Sequence, residues 1–270
     1  MPITFYGKVI DENTNPVNEA HVEFAWTDTS VNGRSKATSQ TDPNGLFSLS
    51  GVTGRVLSVE ASKTGYYTSR SEKDFDYGGG FRGVEGNPVI FQLKRKGSGA
   101  DLITSRYGVS PELVVTAPRD GKPILVDLMQ RKVAPVGQLE IRQIKPDYLQ
   151  AKQAKAWEFR MEIRDGGFIE QSDEFPFRAP ETGYQPVVDF KFSVAETNWT
   201  TMLRKQYYIS FGEPRRYGWL VVETRIGSEG ARLEYAINPD GSRYLEPKEA
   251  KLSRRDLPSG MTEVLPGNSQ

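Results

Sequence analysis

Cysteine is absent from this chain of 270 residues. Its absence excludes disulfides, thiolate nucleophiles, cysteine-ligated zinc and iron–sulfur clusters. Histidine is nearly absent too, with His21 alone. Metal centres built on two or three histidines need more than that, and a Ser-His-Asp triad would have to use this one side chain. No Gly-x-Ser-x-Gly elbow and no P-loop occurs. Net charge is missing as well: 35 Lys and Arg face 35 Asp and Glu. A nucleic-acid binder draws affinity from a basic excess, so nucleic acid is not an expected partner. The locally basic stretch from Arg131 to Arg164 alternates its charges with apolar residues, as the wet face of a strand does. No apolar run reaches the length of a membrane-spanning helix, so no transmembrane segment is expected. The opening Met1-Pro2-Ile3-Thr4 has no basic region leading into an apolar core.

What is present is turn chemistry between short apolar runs: 26 Gly and 17 Pro. Val22, Phe24 and Trp26 share one face against His21, Glu23 and Ala25. That is the period of a strand with one buried face. Ile3, Phe5 and Val9 alternate similarly, with Gly7 reading as a bulge. Asp11 to Pro16 and Asp42-Pro43-Asn44-Gly45 read as turns. Leu57, Val59 and Ala61 form another strand, and Val89, Phe91 and Leu93 a last one. The polar Lys94-Arg95-Lys96-Gly97-Ser98-Gly99 then marks a boundary. Residues 1–96 are expected as one β-sandwich, 97–110 as linker, 111–247 as a second sandwich and 248–270 as a mixed-charge tail.

The second half keeps the strand texture. Trp157, Phe159, Met161 and Ile163 alternate with Glu158, Arg160, Glu162 and Arg164, the cleanest pattern in the chain. Val188, Phe190, Phe192 and Val194 repeat it, followed by Tyr207, Ile209 and Phe211, then Leu233, Tyr235 and Ile237. Asp147 to Ala156 is rich in helix formers and predicts a helical turn or two. The fold class is therefore all-β, with two stacked-sheet domains.

Candidate sites are few. His21 lies on a wet strand face and reads as a rim residue. Asp74 with Asp76, and Asp173 with Glu174, are carboxylate pairs on paper, but 35 acidic residues produce such pairs by chance. Asp11, Asn13 and Asn15, and Asp42 with Asn44, offer oxygens that suit calcium, yet these are the ordinary residues of turns and the full calcium loop is missing. No cofactor or metal is expected, and no catalytic residue is nominated. Two aromatic segments remain. Asp74 to Gly86 carries Tyr77 and Phe81; its rings either fold over the end of the first sandwich, form a ligand platform, or dock the second domain. Phe175, Phe177, Arg178, Glu181 and Tyr184 sit in a proline-stiffened run that either closes the second sandwich or binds a glycan or peptide. Asn198-Trp199-Thr200 matches a short glycosylation acceptor pattern.

Three blocks carry a resemblance. They are Gly7-Lys8-Val9 through Pro16 to Val22, Thr41 to Leu49, and Val59 through Lys63-Thr64-Gly65-Tyr66. Together they resemble the carboxypeptidase regulatory-like domains, over roughly residues 3 to 94. The resemblance implies a transthyretin-like sandwich that serves as an accessory without peptidase chemistry. It also implies an exported bacterial protein, periplasmic or extracellular, whose export signal has been removed from this sequence. The remainder, through Phe177 to Tyr184 and Asn238 to Arg243, is similar to the C-terminal part of uncharacterised exported bacterial proteins. The expected function is that of a non-catalytic structural or binding protein engaging a glycan or a cell-envelope protein. A polysaccharide hydrolase using paired carboxylates is the alternative.

Overall fold

The computed structural model describes residues 1–28, 33–67, 73–105, 110–147, 155–173, 175–197 and 199–248. These residues form strands and turns, with no helix among them. They divide into two compact units, whose described residues lie within 1–97 and 98–248.

The first unit is a sandwich of two sheets. One sheet is ordered β4-β1-β8, from Leu46–Thr53, Pro2–Ile10 and Val89–Gln92. The other is ordered β3-β2-β5-β7, from Arg34–Gln40, His21–Thr27, Val56–Ser62 and Lys73–Asp76. A small ladder joins β6 (Tyr66–Tyr67) to β9 (Lys94–Arg95). Alternation brings Phe5, Phe24, Leu57, Val59 and Phe91 into one core. Each such side chain contributes roughly 1.5–3 kcal/mol over the exposed state. The turn residues act as their chemistry dictates. Asp42 Oδ1 accepts the N–H groups of Asn44 at 2.9 Å and Leu46 at 2.8 Å. Gly45 follows at φ 74°, a conformation that favours glycine.

Gly7 is not a bulge. It pairs in register with Phe47 and Val89, and the register shift falls between Ile3 and Phe5. The glycine is needed because a Cβ at position 7 would lie 2.1 Å from the Phe47 ring.

The second unit is a larger sandwich. One sheet runs β10-β20-β19-β18-β16, with β11 also paired to β20. Its strands are β10 (Ile103–Ser105), β11 (Leu113–Thr116), β16 (Gly166–Glu170), β18 (Met202–Phe211), β19 (Arg216–Arg225) and β20 (Gly230–Asn238). The facing sheet runs β13-β12-β14-β15-β17, from Lys132–Val133, Ile124–Asp127, Leu139–Ile144, Trp157–Glu162 and Val187–Phe192. Trp157, Phe159, Met161 and Ile163 all enter the shared core, opposite Leu220, Val222, Leu233 and Tyr235. A second apolar layer, including Tyr208, Trp219, Val221 and Leu245, covers part of the outer face of the larger sheet.

Two expectations meet a different outcome. In the stretch read as linker, Ile103–Ser105 pairs with Tyr235 to Ile237, and Ala100 bridges Pro247. These short segments lack an alternating pattern because β20 supplies most of their context. Val194 lies beyond β17 and is exposed. Gly166 and Gly167 begin β16, where a Cβ on Gly166 would lie 1.8 Å from the Ser210 carbonyl oxygen. The helical turn expected over 147–156 and the tail expected over 248–270 fall mostly outside the described residues.

Candidate functional site: a charge-laddered cleft in the second unit

The aromatic segments are drawn inward. Tyr77 is buried, its hydroxyl donates to the Thr4 carbonyl at 2.6 Å, and burial pushes that hydroxyl up to about 12. Phe81 packs edge-on against Tyr77 at 5.3 Å and against Phe75 at 4.7 Å. These rings extend the first core.

Phe177 and Ala179 are buried in the second unit. The Ala179 N–H donates to Arg243, and the Leu245 N–H donates to Phe177. Phe175 lies 6.0 Å from Phe177, ring to ring. Tyr184 donates its hydroxyl to the Pro180 carbonyl at 2.8 Å and packs with Ile169 and Tyr217 on the outer layer; burial raises its pKa. Arg178 is exposed and bridges Tyr244 through the backbone; Glu181 is exposed and sits 3.5 Å from Arg243. The five residues therefore share a segment without converging on a common point. Tyr77 and Phe81 belong to the other unit.

The other sequence candidates resolve individually. His21 is exposed beside Glu23 at 3.4 Å. Asp11 accepts N–H groups from Asn13 at 2.8 Å and Asn15 at 2.9 Å, and the Asn15 amide at 3.3 Å. Burial works against its charge, but those hydrogen bonds hold the carboxyl below its ordinary range. Both oxygens of Asp11 and the Oδ1 of Asp42 thus take donors from the chain itself. Among the described residues no group of three metal-capable side chains converges. Asp74 accepts from Ser58 at 2.5 Å, Asp76 from the Gly79 N–H at 2.9 Å, and Asp173 from Tyr208 at 2.5 Å. Glu174 and Asn198 lie outside the described residues.

Sequence reading missed the concave feature at one end of the second sandwich. A cleft of about 330 Å³ is lined by Leu125, Pro135, Val136, Glu140, Glu162 and Arg164, among others. Two of its three acids come from facing positions: Glu140 on β14 stands opposite Glu162 on β15, and Asp165 lies beyond that strand. Like charges so placed repel, and arginines offset them. Glu140, only 5% exposed, takes Arg142 Nε on one oxygen at 2.6 Å and an Arg164 guanidinium nitrogen on the other at 3.3 Å. Glu162 takes Arg160 at 3.1 Å. Pro135 and Val136 supply an apolar wall, with Val136 largely exposed. The result is a fixed row of donors and acceptors beside an apolar surface. The only sequence signal was the Glu-Arg alternation of 158–164, which is also the pattern of any wet strand face. Glu140 and Arg142, a strand away, complete it through register.

Comparison with known proteins covers part of the chain. Residues 4–80 match the family model of the carboxypeptidase regulatory-like domain, so the resemblance drawn from the three sequence blocks holds for the first unit. A search of curated proteins returns no match. Among solved structures, the chain is similar to a shaft pilin of Lactobacillus rhamnosus GG, at 9% identity and a TM-score of 0.29, covering 84% of this chain and 88% of the pilin. It is also similar to a streptococcal ancillary pilin, at 10% identity and a TM-score of 0.26, covering 74% of this chain and 61% of that one. A third is described as a putative carbohydrate binding protein from Bacteroides uniformis, at 12% identity and a TM-score of 0.21, covering 87% and 96%.

Proposed function

We propose that this chain is a non-catalytic, exported binding protein that holds a glycan in the cleft of its second unit. The observation that carries the reading is the clamped Glu140, with both carboxylate oxygens engaged by guanidinium groups. Paired planar groups of this kind hold their donors and acceptors in fixed directions. Neighbouring hydroxyls of a sugar ring present donors and acceptors of matching reach, and the ring's C–H face suits Pro135 and Val136. The cleft's size is at the small end of ligand pockets, which fits a short saccharide segment better than a globular surface.

The same clamp argues against the hydrolase alternative. A carboxyl that must deliver or remove a proton needs a free oxygen facing the reacting bond. Each oxygen of Glu140 already takes a guanidinium nitrogen, and Glu162 has Arg160 on its Oε2. The first unit serves as an accessory domain in this reading. Export is part of the proposal, supported by the resemblance of residues 4–80 to the carboxypeptidase regulatory-like domains.

The test is a glycan array probed with the intact chain, followed by titration calorimetry on the retained saccharide. Arg164→Ala and Glu162→Gln are expected to weaken binding at least tenfold while leaving the fold intact by circular dichroism. Retention of no saccharide, or binding indifferent to both substitutions, removes the glycan reading. Release of reducing ends from the bound saccharide would restore the hydrolase. Capture of a cell-envelope protein that still binds both variants would move the partner elsewhere on the surface.

A further inference from the structure

At the other end of β14 from the cleft lies a buried amine that the glycan reading does not use. Lys145 is 6% exposed. Its Nζ donates to Thr224 Oγ1 at 2.6 Å and to the Ser228 carbonyl at 3.0 Å. Thr224 Oγ1 in turn donates to the Gly230 carbonyl at 3.0 Å. These partners belong to β19, the following turn and β20, which are in the opposite sheet. The rest of the space around Nζ is aromatic, with ring centroids of Trp157 at 5.6 Å and Phe159 at 5.9 Å.

The charged neighbours do not supply a counter-ion. Arg119 reaches the Pro146 carbonyl and the Gly227 carbonyl, and it pairs with Glu229 at 3.2 Å. Asp120 pairs with Lys122 at 2.6 Å. Glu223 and Arg225 flank Thr224 and so point away from it, paired with each other at 3.5 Å. Glu158 stands between Trp157 and Phe159 and points to the wet face of β15 by the same alternation. On its own strand, Arg142 is taken by Glu140. Among the described residues no carboxylate pairs with the Lys145 amine.

An uncharged amine has two N–H donors, and both are used. A third proton would meet the Trp157 and Phe159 ring faces, a cation–π contact but not a counter-ion, and a buried charge without a counter-ion is costly. We propose that Lys145 is a proton-operated fastener: its uncharged amine ties the turn between β19 and β20 to the end of β14, and a proton taken up there loosens that turn. Burial, reinforced by the Arg119 guanidinium, pulls the amine down to about 7 from its ordinary 10.5. An opened turn releases it to water and to the ordinary value. The open form therefore binds the proton more readily between those two values. Opening grows as pH falls from about 10 to about 7, by up to about tenfold per unit, and levels off below that.

The test uses the full chain. Amide hydrogen exchange at Gly227 to Gly230, corrected for the intrinsic pH dependence, is compared at pH 7 and pH 9 in the wild type, Lys145→Met and Lys145→Gln. The expected result is up to about a hundredfold more opening at pH 7 in the wild type, and no such difference in either variant. Protection that is unchanged between the two pH values, or that changes equally in the variants, overturns the proposal. Should neither variant fold, ¹³Cε shifts of labelled lysines in the wild type decide it. One lysine titrating near 7 supports the fastener, and all lysines titrating near 10 overturn it.

Discussion

At the scale of single residues, polar side chains that hold the chain together carry the clearest consequences. Asp11 gathers three N–H groups in its turn. Asp11→Ala is expected to cost about 1–3 kcal/mol by leaving those donors to solvent or strain, measured by urea unfolding. The wild-type carboxyl has a lowered pKa, so its contribution is complete above the ordinary carboxylate range. It is lost as pH falls through the folded value, and Asp11→Asn should flatten acid unfolding in that window. Lys145 gives the same sign in a higher window: stability rises with pH above about 7, at up to about 1.4 kcal/mol per unit. Lys145→Met should remove that slope, read from melting temperatures between pH 7 and pH 9. Neither the clamp on Glu140 nor the isolation of Lys145 was legible in the sequence. Each depends on groups far along the chain, with Thr224 reaching Lys145 from 79 positions away.

At the scale of elements, alternation told most of the story where one face was strongly apolar. The four side chains from Trp157 to Ile163 enter the core as their spacing requires. Where a strand is polar on both faces the sequence is silent. Arg34–Gln40 pairs fully with β2 yet carries no large apolar side chain. Segments as short as β10 are equally hidden, because a partner strand supplies their order. The aromatic loops stayed ambiguous for a related reason: in the sequence Tyr77 and Phe177 fit inward closure as well as a platform, and only packing shows that they face inward. Three substitutions test the elements. Phe159→Ala removes a fully buried ring from β15 and should cost about 3–5 kcal/mol. Gly7→Ala drives a methyl group into the Phe47 ring and should cost about 1–3 kcal/mol through overpacking. Val133→Ala, exposed on an edge strand, should change stability by less than about 0.5 kcal/mol. Denaturant midpoints read all three.

At the scale of the whole molecule, each unit has its own closed core, and the cores share no residue. Calorimetry of the intact chain should therefore show two transitions. Phe24→Ala should lower only one of them and Phe159→Ala only the other; a single transition shifted by both substitutions would show coupled folding. Within the first unit, β8 pairs in parallel with β1, so Phe91 completes a core that Phe5 begins. The span that matches the regulatory-like family ends at residue 80, before this strand begins. Scissors guided by homology would thus discard the keystone: an excised piece ending at 80 would show its greasy interior to solvent and clump, whereas one extended through Leu93 would stay dissolved.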